Sequence, residues 1–284
     1  MAFVWHLVIL IGTWLPGALT YTMIFGKGKI LHFGPLGVSL MTSYATFLTL
    51  GATGSYPIAV LTGLGSAIAI SAVFAWLSLR LEPDGFGIMS IAVHLSVLSV
   101  VLNWSSLTRG ALGIPRLPRA PFPASQEGFA LVMVVMCIVW VLGMWLLDRS
   151  SFGRKIAALA EHEWHSAALG VSRARVHFLA FMVGALGALF GTLPYHHYIG
   201  LLHPNDYQFP GLIFFVMLVV AGKPGSVFGV TISTILLVLL KELLRFVPLP
   251  PDILGPVRLI LFGVILFAAV WYRRDTLFPK QRTV

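Results

Sequence analysis

Two histidines and a glutamate stand together in residues 160–170, AEHEWHSAALG. His162 and Glu163 begin like the zinc-protease pattern H-E-x-x-H, in which two imidazoles one helical turn apart hold a metal and the carboxylate activates its water. The second histidine is His165, at i+3, and Ser166 occupies the position that the pattern needs. Side chains at i and i+3 still share a helix face, so a metal site stays chemically open. It would make the chain a membrane-embedded metalloenzyme using His162, Glu163 and His165. No recognisable spacing supplies a third ligand, and the expectation is no catalytic residue and no metal.

Other reactive groups are sparse. His94 lies in the middle of the apolar run 86–102, where it either packs against a neighbouring helix or lines a polar path. It is the candidate for a translocation path, and the group that an ion-coupled carrier would use. The ten acidic residues fall in loops or near the ends of apolar stretches: Glu82, Asp84, Glu127, Asp148, Glu161, Glu163, Asp206, Glu242, Asp252 and Asp275. None sits mid-span, where proton and sodium relays place a carboxylate, which argues against an ion-coupled secondary transporter. Nor does the chain carry a phosphate loop: FGKGK at 25–29 and AGKPG at 221–225 lack both the spacing and the hydroxyl that meets magnesium. No cofactor is expected in this chain. His196 and His197, in PYHHYIG at 194–200, read as structural residues near a membrane interface, and Cys137 reads as a small apolar core residue.

These groups must be positioned by helices in a bilayer. Of 284 residues, 58% are hydrophobic and 10% charged, and the mean hydropathy is +0.91, whereas soluble domains carry about 25% charged residues. A span must satisfy its own backbone hydrogen bonds, so runs of about 20 apolar residues read as membrane helices. They fall at 2–25, 56–79, 86–102, 128–147, 177–200 and 257–272. Residues 34–52, rich in glycine and hydroxyls, look less regular, and 210–244 reads as two shorter passages joined by a tight turn at GKPGS, 222–226. The expected architecture is all-α: one permease-like domain over 1–284, a bundle of eight to nine transmembrane or partly spanning helices. The first span has no preceding Lys or Arg and no small-residue cleavage pattern, so it reads as retained in the membrane.

A net charge of +9 in a soluble protein would suggest nucleic acid; here it reports orientation, and no nucleic-acid partner is expected. The loop 148–176 carries Arg149, Arg154, Lys155, Arg173 and Arg175, and the tail 273–284 carries Arg273, Arg274, Lys280 and Arg282, so both should be cytoplasmic. Loops 103–127 and 201–209 should face outside, although Arg109, Arg116 and Arg119 fit the first placement poorly.

Read with its flanks, SSFGRKIAALAEHEWHSAALGVSRARVHFLAF at 150–181 resembles the cytoplasmic coupling segment of branched-chain amino acid ABC permeases, through Gly153, Arg154, Ala158, Leu159, Glu161, Glu163, Ala168, Leu169, Gly170, Ala180 and Phe181. Tyr198 and Pro204 fall where that family has a tyrosine and a proline, MLVVAGKPGSVFG at 217–229 resembles its run into Gly-Gly-x-Gly-Ser, and LILFGVILFAAVWYRRDTLFP resembles its last span and tail. Within the family the LivM-type subunits are the most similar, through LRLEPDGFGIMSIAVHL and NWSSLTRGALGIP. Coverage is good from about residue 78 to 279. The departures are Lys223 for the second glycine of the pair, Arg109 for a glycine of the outer motif, His94 and Leu95 where an acid is common, and Ala157 and Ala160 for arginines on the coupling helix.

The resemblance implies a permease subunit of an ATP-driven importer in the bacterial inner membrane. Its partners would be a second related permease, two ATPase chains that hold ATP and magnesium, and an extracytoplasmic solute-binding protein. It places ATPase coupling on Gly153, Arg154, Ala158, Leu159, Glu161, Glu163, Trp164, Ala168, Leu169 and Gly170. Gly184, Gly187 and Gly191, at spacings of three and four, suit close helix packing. Gly222 and Gly225 are the turn residues, with Gly225 needed for a close or left-handed backbone.

Overall fold

The computed structural model describes residues 1–117, 122–248 and 250–277; Arg119, Lys280 and Arg282 lie outside them. In chain order the helices are α1 (Ala2–Tyr21), continued as a π-helical turn Thr22–Lys27, α2 (Pro35–Thr53), α3 (Tyr56–Arg80), α4 (Pro83–Asn103), the short α5 (Ser105–Thr108), α6 (Gln126–Arg149), α7 (Ser151–Glu161), α8 (Glu163–Ala168), α9 (Arg173–Ile199), α10 (Phe209–Ala221), α11 (Val227–Leu243) and α12 (Pro251–Leu277). Local chemistry sets the starts. Proline occupies the first turn of α2, α3, α4 and α10, where its missing N–H costs nothing. The side chains of Ser125, Ser150, Ser172 and Ser226 accept N–H bonds at the starts of α6, α7, α9 and α11.

Seven stretches are long and apolar enough to cross a membrane: Ala2–Lys27, Tyr56–Arg80, Pro83–Asn103, Gln126–Arg149, Arg173–Ile199, Val227–Phe246 and Ile253–Arg274. The protein is an all-α, multi-pass membrane protein. With the 19-residue α2 and the 13-residue α10 added to those seven, whole and partial passages reach nine among the described residues, the upper of the two figures expected. Residues 34–52, expected to be less regular, form a continuous helix instead. The reason is local: Thr42, Ser43 and Thr46 donate to the carbonyls of Val38, Ser39 and Thr42, one turn back, at 2.7, 2.9 and 2.7 Å, so the hydroxyls satisfy themselves inside the helix.

The core is built on α1 and α9, which pack along each other. α6, α10 and α11 cover other faces of α1, α2 and α3 cover α9, and α4 backs α2, while α12 lies outermost against α10. Gly184, Gly187 and Gly191 all face α1: their missing side chains would meet Ile24, Thr20 with Pro16, and Thr13. At Gly187 a β-carbon would stand 2.9 Å from the Pro16 carbonyl oxygen and inside the Thr20 side chain. Below that crossing the buried His32 sits between Phe74, Phe86 and Phe181. Burial, with His94 nearby, lowers its pKa to about 3, so it is a neutral packing group.

Two ends of the bundle are defined by their connections. α7 and α8 cap one end. At the other, Ile114–Pro115 (β1) pairs antiparallel with Leu201–Leu202 (β2), and Leu117 N–H donates to the Gly200 carbonyl at 3.1 Å. This ribbon puts the 103–127 and 201–209 loops at the same end, despite the arginines of the first. Arg109, which stands where the family has glycine, adopts a left-handed φ of 64°.

Filling the α1–α9 crossing should be expensive. Gly187→Leu is expected to cost on the order of 1–3 kcal/mol through overpacking, read as a lower thermal midpoint and poorer yield of detergent-purified protein. Gly143→Leu, on α6 with nothing within 4 Å of its missing side chain, should leave both unchanged. Equal midpoints for the two variants would mean that the crossing has slack.

Candidate functional site

The histidine-bearing segment is not the single helix that its sequence suggested. α7 ends at Glu161, His162 adopts an extended φ of −148° and ψ of 95°, and α8 restarts at Glu163. His162 and His165 therefore do not share a face of one continuous helix, although their rings meet edge to face at 5.1 Å. Among the described residues, no group of three or more His, Cys, Asp or Glu side chains is placed to hold a metal.

What the segment does present is a firmly held apolar surface. Ser150 Oγ accepts from Gly153 N–H at 3.3 Å, Gly153 is pressed 2.6 Å from the Leu147 carbonyl oxygen as measured from its absent β-carbon, and buried Ile156 packs on Gly28. Lys27 Nζ pairs with the Asp148 carboxylate and donates to the Asp148 carbonyl at 2.9 Å, tying the end of the first span to the end of α6. Arg173 reaches Glu163 at 3.1 Å and the Ser78 carbonyl at 2.9 Å, which clamps α8 to the end of α3. The helix stops at Gly170, φ 79°, with Gly170 and Val171 N–H bonded back to Ala167 and Ser166 carbonyls at 2.9 and 3.0 Å, as in a left-handed cap. From this support Trp164 and Leu169 project, 89% and 85% exposed. Arg154, Ala158, Glu161, Glu163 and Ala168 are exposed beside them, while Leu159 is half-buried and lines a cavity of about 170 Å3 with Glu163, Arg173 and His177.

The same end carries the tight turn between α10 and α11. Gly225 has φ 84° and Lys223 φ 68°. The turn rests on Gly26, whose β-carbon would lie 2.7 Å from the Pro224 carbonyl carbon, and Gly225 N–H donates to Thr22 Oγ1 at 2.9 Å. Gly222 is buried against Ser233 and Gly229 of α11.

His94 is fully buried, its ring lying against the site of Gly37 on α2, with the Tyr207 backbone set against it but no hydrogen bond of good geometry to either ring nitrogen among the described residues. It lines neither the cavity beside Leu159 nor one of about 580 Å3 that lies between α1, α2, α9, α10, α11 and α12. Trp14, Phe214, Phe215 and Phe262 form its apolar walls, and Tyr195, Asp206, Lys241 and Arg258 reach into it. Asp206, in the short turn Pro204–Tyr207 between β2 and α10, has its carboxyl raised above the usual range by desolvation, against the opposing charges of His203 and Lys241.

A family model described as branched-chain amino acid transport system / permease component matches residues 4–270. The chain belongs to that family. The match reaches back to residue 4, well before residue 78, where the motif resemblance begins. The permease is 27% identical, over 93% of its own length and 69% of the relative's, to the high-affinity branched-chain amino acid transport system permease protein LivM of Salmonella typhimurium. It is likewise 27% identical to LivM of Escherichia coli K12, covering 99% of this chain and 73% of the relative. It is 25% identical to the LivH permease protein of Salmonella typhimurium over 78% of each chain. No solved structure matches it.

Sequence reading missed the cations of the permease's main cavity. Attention to carboxylates passed over Lys241, inside the apolar block 210–244, and Arg258, inside the last span, although a lysine or arginine within a span is as strong a signal as an acid. Gly26, the floor of the turn, was missed too, since nothing local marks a contact 200 residues away. At the turn itself, Lys223→Gly should stabilise the permease by about 1 kcal/mol, because a side chain is strained at left-handed φ, and Gly225→Val should destabilise it. Thermal unfolding of the purified variants checks both; a lower midpoint for Lys223→Gly would show that the lysine side chain outweighs its strain.

Proposed function

We propose that this permease is one membrane subunit of an ATP-driven importer for branched-chain or related amino acids, in the bacterial cytoplasmic membrane. Residues 1–284 act as one permease domain with the loop 148–176 and the tail 273–284 in the cytoplasm. Two ATPase chains, which hold ATP and magnesium, dock on α7 and α8; a second related permease completes the pathway, and an extracytoplasmic solute-binding protein delivers the solute. Nucleotide-driven closure of the ATPases moves the docked helices and switches the bundle between its two access states.

One observation carries this reading. Trp164 and Leu169 are the most exposed large apolar residues on α7 and α8 and the link that follows, on a segment whose other contacts hold it rigid. An exposed tryptophan on a fixed support is the kind of anchor that dominates an interface. Arg149 and Arg154, at the end of α6 and on α7, with the basic tail, favour the cytoplasmic side. The similarity of the chain to both LivM and LivH, named for one high-affinity system, supports a pair of related permeases.

Docking depends on shape and apolar contact, a metal on imidazole nitrogen, and the two separate by mutation. Trp164→Ala is expected to weaken association with the ATPases by about 2 kcal/mol or more, and Ala168→Arg by more still. His162→Gln with His165→Gln, which keeps size and hydrogen bonding, should be mild. Co-purification in detergent and substrate-stimulated ATP hydrolysis in liposomes give the readout. If the histidine pair abolishes activity while the Trp164 and Ala168 variants keep their ATPases, docking fails and the metalloenzyme reading returns; uptake that follows membrane potential and not ATP would favour an ion-coupled carrier. For orientation, cysteines at Lys155, exposed on α7, and Thr283 in a Cys137→Ala background should resist an impermeant thiol reagent in intact cells. Ready labelling of both would invert the topology.

A further inference from the structure

The 580 Å3 cavity holds charged side chains that form no close ion pair. Lys241 Nζ lies 5.2 Å from the ring centre of Trp14 and 4.9 Å from that of Phe214, and it pairs with no carboxylate among the described residues. Its neighbour Glu242 is engaged by Arg245 at 2.8 Å and His6 at 3.6 Å, and acts on the ammonium only from outside ion-pair distance. Arg258 also lines the cavity, and its enclosed Nε has no hydrogen-bond partner among the described residues. On another wall Asp206 receives one long bond, from Tyr195 Oη at 3.5 Å.

Aromatic faces compensate only part of the cost of holding an ammonium out of water. Two cations and one carboxylate thus face a shared space with an excess of positive charge, and although Lys241 and Asp206 feel each other's charge, neither they nor Arg258 close an ion pair among the described residues. A ligand with a carboxylate at one point and an ammonium at another would complete both sets, since charge-assisted hydrogen bonds are the strong ones. The remaining walls, Leu36, Phe214, Phe215, Leu259 and Phe262, are apolar and suit a hydrocarbon side chain. The volume falls in the usual range of small-molecule sites, about 300–1,000 Å3, and admits such a ligand with some water.

We propose that this cavity is a binding station for a zwitterionic amino acid with an apolar side chain, its carboxylate held by Lys241 and Arg258 and its ammonium by Asp206. The proposal rests on the amino acid importer reading and deepens it: the permease itself, and not only a delivering protein, selects the solute. Gly187 and Gly191, which allow the α1–α9 crossing, line the same cavity, so solute bound there lies against the central helix contact of the bundle.

Equilibrium binding of radiolabelled L-leucine to the assembled membrane complex in nanodiscs, without delivering protein or ATP, tests the station. Leucine should bind saturably. 3-Methylbutylamine, which lacks the carboxylate, and 4-methylpentanoate, which lacks the ammonium, should compete about tenfold or more weakly. Lys241→Gln and Asp206→Asn should each weaken leucine by a similar factor, and Lys241→Gln should leave competition by the amine unchanged. The analogue series on the native sequence keeps the test independent of whether a variant folds. Absence of saturable binding, an analogue that competes as well as leucine, or both variants binding like the native protein would overturn the proposal. Uptake of leucine by the complete importer in proteoliposomes is scored separately. If it needs ATP while the binding series fails, the importer stands and the station falls; if it needs no ATP, the importer reading itself falls.

Discussion

The approach of α1 to α9 at Gly187 is the constraint on which the rest of the bundle depends. In a bilayer, helices gain nothing from burying apolar surface against one another that lipid does not already provide, so close van der Waals contact must hold them together. Glycine brings the backbone of α9 against the Pro16 carbonyl and the Thr20 side chain. Around that contact α6, α10 and α11 pack on α1, and α2 and α3 on α9. Gly17, Gly187 and Gly191 also line the cavity of about 580 Å3 that opens beside α10 and α12.

Polar groups inside the bundle follow the rule that every donor in a membrane needs a partner at hand. α2 meets it within itself, each hydroxyl bonding one turn back. Elsewhere the partners come from other helices: Ser43 and His196 both bond the Tyr207 hydroxyl, at 2.7 and 2.6 Å, and Ser78 bonds His177 at 2.9 Å. These links join α2, α9 and the turn before α10 at one end of the bundle, and α3 to α9 at the other. His196, which reads as structural in the sequence, and His177 are spent on such bonds, whereas His162 and His165 meet only ring to ring. Lys241 and Asp206, which form no close ion pair with each other, are the conspicuous exceptions.

The end that carries α7 and α8 is held by longer polar contacts: Lys27 to Asp148, Arg173 to Glu163 and Ser78, and Arg273 to the Ala221 carbonyl at 3.2 Å. They link the first span, α6, α3, α9, α10 and α12 to one surface.

The sequence alone determined the all-helical membrane class, most span boundaries to within a few residues, the tight turn at 222–226 and the family, because these depend on runs of apolar residues, on proline and glycine punctuation and on local motifs. It misjudged α2, since hydropathy counts a hydroxyl as polar without asking whether the helix itself satisfies it. It took residues 160–170 as one helix, since no proline or glycine marks the break at His162. Only the tertiary structure decided which polar residues face one another. Tyr195, Asp206, Lys241 and Arg258 come from four separate elements, and no spacing along the chain relates them; their meeting depends on how far α9, α10, α11 and α12 stand apart once glycine has let α1 and α9 close.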